Sequence, residues 1–412
     1  MHYALCINLE AVLFLSISVG LIAQLIEKLA PKSWAEDWDN VGLLVGSGAS
    51  TVEKILVTLD GTSEVVEEAE VCGAQLIVAH HPIMFRGLKN LREDNREANI
   101  PLRLIRSGIA YYAAHTNLDQ SSLSACWTIG NALELKQMEL LAPVVRESLV
   151  KLIVFVPRTH AEAVRQALAS VGVGEGITDG PRSSYYAESF FQGQGEGIFR
   201  PLQGANPTIG RIGELTRVDE VKLESIIVEA LVEKALRTLK KAHPYEEPAY
   251  DLVPLKNTGK SRGYGAMGYL KEPQKLETLW PRLQELFTTG AWSTLQTLAQ
   301  YRCPAGMRVA GDPKKLIRKI AIANGSGGDY ISKALFKGVE LFISGDIGHH
   351  QLLDALEGNM AVADIGHYLS ELPMVDSLTN YLRAEKALRA VEVVISTKNK
   401  VPWLDINLQN FL

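Results

Sequence analysis

The sequence predicts an α/β protein with open, mostly parallel sheets, interrupted by an inserted α+β domain of ferredoxin type. Three observations carry that prediction. Short apolar strands alternate with helices from Lys54 onward, a polar, glycine-rich texture replaces them between about Lys151 and Pro254, and the first texture resumes from Ile317. At 412 residues the chain is also too long for one ordinary core, so two or three are expected.

The elements follow in order. Ile17, Leu21, Ile22, Leu25, Ile26 and Leu29 recur at helical spacing ahead of Pro31, which predicts an amphipathic helix. The residues before it are largely apolar, but Asn8 and Glu10 interrupt them and no Lys or Arg precedes them. The expectation there is an irregular extension and not a membrane anchor. Lys54–Leu59, Leu76–Ala79 and Ile109–Ala114 are strands, with helices around Glu64–Cys72 and Pro101–Ser107 between them. Strands apolar on both faces suit a parallel sheet covered by helices.

Next come a strand at Lys151–Val156, a helix at His160–Val171 and a glycine-rich aromatic stretch from Gly172 to Gly213. A charged strand (Glu220–Val228), a helix (Ala230–Ala242) and the segment "AHPYEEPAYDL" complete a split ferredoxin-like order. From Ile317 the reading is a strand at Lys319–Ala323, the turn "NGSGG", a helix, a strand at Val339–Ile343, a helix from His350 and a strand at Met360–Val362. The domains expected are 16–146 and 257–412 for the interrupted α/β domain, and 147–256 for the insert.

Composition narrows the function. Apolar residues make up 47% and charged ones 22%, a globular balance. A net charge of −5 without any Lys/Arg run argues against a nucleic-acid partner. Cys6, Cys72, Cys126 and Cys303 lie far apart with no CxxC pair, which fits a reducing compartment and excludes a thiolate zinc knuckle. A cytoplasmic protein without membrane association is expected.

The chemistry collects at the carboxyl ends of the strands, where open α/β sheets bind ligands. Asp60, then His80 and His81, then His115, Asn117 and Asp119, then Asp346, His349 and His350, then Asp364, His367 and Glu371 each follow a predicted strand. Six of the nine histidines fall in these segments. Imidazole and carboxylate without thiolate suit zinc, manganese, iron or nickel. His367 and Glu371, four apart, share one helix face. His80 and His81 would point oppositely in a regular strand, but Pro82 ends the ladder at that point, and each could then serve a different ion of a pair. A carboxylate such as Glu371 has two oxygens with which to bridge, and two ions would acidify a shared water.

The motifs "SWAEDWDNVGLLVG" (33–46), "VTLD" (57–60), "AHHPIMFRGLKNL" (79–91), "AAHTNLD" (113–119), "GDIGHH" (345–350) and "ADIGHYLSE" (363–371) together carry a resemblance. The chain resembles the Nif-three-like dinuclear metal centre hexameric family of the YbgI/YqfO type, whose members are often named GTP cyclohydrolase homologues of a second type. The insert resembles that family's PII-like domain through "GEGIFRPLQGANPTIG" (195–210) and "HPYEEPAYD" (243–251). The resemblance implies two divalent ions held by His80, His81, Asp119, His367 and Glu371, with Glu371 bridging. It also implies a homohexamer of two stacked trimers with its metal sites facing an internal cavity. His115 and His349 match pocket positions suited to proton transfer. After "HTNLD" this chain has "QSSLSACWTIGN" (120–131) where the family shows a glycine-rich helix entry, so the pocket rim there departs from the pattern.

Two functions follow. One is a metal-dependent hydrolase of a small nucleotide-like or phosphorylated substrate. The other is a non-catalytic, metal-stabilised regulatory or scaffold hexamer whose insert senses a ligand. Several local readings stay double. Asp60 is a pocket acid or a helix N-cap, "WDNVG" (38–42) touches substrate or forms a turn, and "NGSGG" (324–328) cradles phosphate or is only a turn. His349 and His350 line a pocket or merely start a helix. His243 with Glu246 and Glu247 holds a separate ion or sits in a rigid Pro-flanked turn. Trp34, Trp38 and Trp127 are expected as core or subunit contacts.

Overall fold

The computed structural model describes residues 17–175, 186–290, 292–293 and 306–399. The extension expected before Ile17 lies outside them, as does part of the glycine-rich stretch. The chain forms two compact units, one from the residues up to Ala142 and from Tyr264 onward, the other from Pro143–Gly263.

The first unit holds two sheets. One has five strands in the spatial order Gly42–Val45, Ala110–Ala113, Leu76–Ala79, Lys54–Thr58 and Glu392–Ile395. The last four run parallel, and Gly42–Val45 closes one edge antiparallel. All four residues of the central strand are buried, as its unbroken apolar sequence requires. Its flanking helix Ser63–Cys72 starts at Thr62, whose side chain accepts from Val65 N, and stops at Gly73 (φ 70°). The helix expected at Pro101–Ser107 begins earlier, at Arg96, because the Asn95 side chain accepts from Glu97 N and caps it.

The second sheet of this unit has the order 264–275, Leu316–Ser326, Leu341–Gly345, Ala361–Asp364 and Arg308–Ala310. Its middle three strands are parallel and its outer two antiparallel to their neighbours. Val57, Val78, Ile320, Ile322, Leu341 and Ile343 belong to one continuous core, so the two sheets share their apolar interior. Helices Ala125–Ala132 and Pro373–Ala384 feed Ile129, Leu378 and Leu382 into the same core.

The other unit is built on Thr216–Val228, which pairs antiparallel with Phe191–Phe199 and, through Leu149↔Val228 to Pro157↔Glu220, with the strand Lys136–Pro157. Helices Ala161–Ala169 and Val232–Ala242 bury Val164, Leu168, Ala235 and Leu239 in one cluster with Leu152, Val154 and Leu223 from the strands. The chain passes between units within two very long strands, Lys136–Pro157 and Tyr250–Lys275. Only the apolar part of the first was legible as a strand. The remainder, such as 256–263 (KNTGKSRG), is polar and glycine-bearing and carries no alternation.

Among the described residues no helix is long and apolar enough to cross a membrane. Ile77, fully buried in the central strand, is a direct test of the core. Ile77→Ala should cost about 2–5 kcal/mol, read as a lower denaturant midpoint at unchanged slope.

Candidate metal centre

The site begins where the parallel strands end. After Ala79 the backbone stays registered for two more residues, His80 N donating to Thr58 O (3.2 Å) and His81 N to Leu59 O (3.0 Å). Pro82 has no N–H and stops the ladder there. The two rings do not diverge as a regular strand would make them, for their centroids lie 4.9 Å apart. His115 follows Ala110–Ala113 and opens the short helix Thr116–Asp119. His367 and Glu371 open and close another, entered through Gly366.

Two glycines make room for that second helix. A Cβ on Gly345 would stand 2.5 Å from the Gly366–His367 backbone, and one on Gly325 would collide with Glu371 Oε1. No side chain fits at either place.

Each of four imidazoles is held from behind by Nδ1. His80 Nδ1 bonds Ala114 O (2.8 Å), His81 Nδ1 bonds Asp60 Oδ1 (2.8 Å), His115 Nδ1 bonds Asp39 Oδ1 (2.9 Å) and His367 Nδ1 bonds Asp346 Oδ2 (2.8 Å). A carbonyl or carboxylate only accepts, so each Nδ1 is the protonated nitrogen and donates. The opposite nitrogens converge. His81 Nε2 and His367 Nε2 lie 3.0 and 3.2 Å from Glu371 Oε2. His80 Nε2 is 3.8 Å from Glu371 Oε1 and 3.9 Å from Asp119 Oδ1.

Despite this proximity, buried His80 Nε2 and Glu371 Oε2 have no hydrogen bond of acceptable geometry. Buried polar atoms left so are rare, and their lone pairs point to a shared centre. Donor atoms of His80, His81 and His115 lie within 4.8 Å of one another, as do those of His81, His367 and Glu371. Orphaned atoms, Nδ1 anchoring and an all-nitrogen-and-oxygen donor set fit divalent metal ions.

Electrostatics agree. Burial alone would lift the Glu371 pKa, but His367, His80 and His81 around it hold it well below the usual carboxylate value. Asp119 moves the other way, raised first by burial and then by the charge of Glu371. His81 is pushed up to about 10, its burial outweighed by Asp60 and Glu371, and His367 to about 9, chiefly by Glu371. A cluster this dense in charge is stabilised by cations placed between its acids. Asn324 Nδ2 donates to Asp119 Oδ1 (2.7 Å) and fixes that carboxylate.

The structure therefore brings together His80, His81, His115, Asp119, His367 and Glu371, all but His80 lining a cavity of about 910 Å³. His349 does not join them. It sits with His350 on the exposed first turn of the helix His349–Glu357 and lines no part of the cavity, which leaves the helix-start reading. Asp60 is not the helix cap, because Thr62 takes that place and leaves Asp60 to hold His81. Asp39 of "WDNVG" is structural through Thr116 and also orients His115. Two of the "NGSGG" amides are committed, Gly325 N to Ser370 Oγ (2.8 Å) and Gly327 N to Ser344 Oγ (3.0 Å), which favours the turn reading over the phosphate cradle.

Other readings resolve in the same way. His243 uses both ring nitrogens, Nε2 donating to Phe155 O and Nδ1 accepting from Tyr245 N, which supports the rigid turn and not an ion. Trp127 is core, but Trp38 is 61% exposed on the cavity rim beside His115. Glu36, Asn324, Tyr264 and Tyr330 also line the cavity. Sequence reasoning missed Glu36, Tyr264 and Tyr330, none of which follows a strand end within a histidine-bearing motif, and took Asn324 only as part of the "NGSGG" turn.

Fold and site define an α/β protein with a candidate metal centre at the carboxyl ends of its strands. The family profile described as Duf34/NIF3 (NGG1p interacting factor 3) matches residues 17–402. A protein of Halalkalibacterium halodurans named "GTP cyclohydrolase 1 type 2 homolog" is 38% identical over 93% of this chain and 97% of its own length. A Bacillus subtilis protein of the same name is 34% identical, over 89% and 92%. A Bacillus cereus crystal structure titled as a protein related to NIF3 superposes with a TM-score of 0.81 at 34% identity, covering 95% of this chain and 99% of that one. The chain belongs to the Duf34/NIF3 family.

If Asp60 and Asp346 act by orienting His81 and His367, their replacement should weaken metal binding without unfolding the protein. Asp60→Ala and Asp346→Ala are each expected to lower affinity about 10–100-fold in competition against a chromophoric chelator. An unchanged affinity in both would remove the anchoring role.

Proposed function

We propose that this chain is a metal-dependent hydrolase, holding two divalent ions through His80, His81, Asp119, His367 and Glu371 and acting on a small nucleotide-like or phosphorylated substrate. The observation that carries the reading is the set of Nδ1-anchored imidazoles whose opposite nitrogens surround a buried carboxylate, with His80 Nε2 and Glu371 Oε2 left without a hydrogen bond. Glu371 turns Oε1 towards His80 and Oε2 towards His81 and His367, and would be the group shared by the two ions. When bound, a pair of divalent ions supplies Lewis acidity and an acidified water. His115 takes up a proton at Nε2 while its Nδ1–H stays on Asp39, so the ring keeps its orientation as its charge changes. Asn324 keeps Asp119 aimed at the centre, and Trp38 and Phe85 shield the cavity mouth. The names of the relatives suggest GTP as substrate, and a homohexamer of two stacked trimers is the proposed assembly.

A specific observation keeps the scaffold reading as the alternative. The insert has its own cavity of about 750 Å³, lined by 197–205 and 245–247, which suits a sensing role for that unit.

Elemental analysis of the protein and of His81→Ala and Glu371→Ala, with a nucleotide and phosphoester hydrolysis panel, tests the proposal. The expected result is two ions per chain in the parent, lost in both variants together with turnover. Bound ions without turnover on any compound favour the scaffold, and loss of the hexamer on chelation would then follow. No bound metal after reconstitution sinks the metal centre altogether.

A further inference from the structure

Resting on the hydrolase reading of the same cavity, we infer that Glu36 is its specificity-determining residue, accepting two adjacent N–H groups of a planar heterocycle that carries an amino group beside a ring N–H, as guanine and pterin do. The first support is the state of Glu36. Tyr264 OH donates to its Oε1 (2.6 Å) and is itself held by Gln120 Nε2 (2.8 Å), while Oε2 has no partner among the described residues. A carboxylate gripped at one oxygen has a fixed plane, and it retains a lone pair on Oε1 and both on Oε2. That is an acceptor edge matched to a ring N–H and a neighbouring amino group, a charge-assisted and bidentate pairing.

The walls supply the flat surfaces such a ring needs. Tyr264 and Tyr330 stand 5.9 Å apart with their planes tilted by 30°, and both line the cavity with Glu36. Trp38 and Phe85, 61% and 51% exposed, flank His115 at 5.9 Å each on the same cavity. Of the described carboxylates lining the cavity, Glu36 is the one that a wall tyrosine holds. Asp60 holds His81, Asp329 accepts from Gln351, and Asp119 and Glu371 belong to the cluster.

The test uses the metal-loaded full chain, with dissociation constants measured by calorimetry for guanosine, inosine, pterin and lumazine. Guanosine should bind at least about tenfold tighter than inosine, and pterin than lumazine, because each control lacks the amino group. Glu36→Gln should abolish the discrimination, since its amide nitrogen faces the ring donors, and Tyr264→Phe should reduce it by freeing the carboxylate. Metal content equal to the parent's certifies both variants as folded. Equal binding of each pair in the parent, or discrimination surviving in Glu36→Gln, overturns the inference. So does failure of guanosine and pterin alike to bind in protein that carries its ions. Those outcomes leave metal content and turnover on the wider panel untouched, so this inference and the hydrolase reading fail separately.

Discussion

The whole centre depends on parallel strand register. Thr58 pairs with Ala79, so Asp60, two residues on, arrives beside His81, two residues past Ala79. Ala79 pairs with Ala113, and one step further Ala114 O meets His80 Nδ1. In the second sheet Ser344 pairs with Asp364, which brings Asp346 to His367. Each of these histidines leaves one strand and its anchor leaves the next. A slip of one residue in any ladder would turn the imidazole away and bury its lone pair against the wrong neighbour.

That constraint explains why the cluster tolerates so much ionisable chemistry in so little space. Anchoring commits one nitrogen of every ring and prevents rotation, so the remaining nitrogens are directed before any cation arrives. The cost of burying Glu371 is met by the imidazoles around it, and Asp119 shows what happens to a buried acid with fewer such neighbours. Gly325 and Gly345 complete the device by letting backbone approach where a side chain would push Glu371 or the Gly366 turn away.

The cavity around the cluster has two characters. Close to the histidines it is a charged donor set, whereas Trp38, Phe85, Tyr264 and Tyr330 give its walls broad aromatic surface. Membership of the Duf34/NIF3 family accounts for the scaffold and says little about what the walls select. Selection lies in residues such as Glu36 that a network of hydrogen bonds holds in place, and fold alone does not specify them.

The sequence by itself determined the fold class, most strands of the α/β unit, and the six polar residues that meet at the centre. Strands such as Leu76–Ala79 are apolar throughout and bounded by polar breaks, and ligand-bearing strand ends are adjacent to them in the chain. His349 fell in a similar motif, yet the helix it begins carries it outward. The anchoring roles of Asp39 and Asp346, the linkage of Asn324 to Asp119 and the aromatic walls were decided only by tertiary structure. The bonded partners Asp39 and His115 lie 76 residues apart, and Asn324 and Asp119 lie 205 apart. Local sequence records which residue types are present and what element they favour. Which distant carboxylate stands behind which imidazole is set by strand order and register, and these arise from burying the two sheets against one shared core.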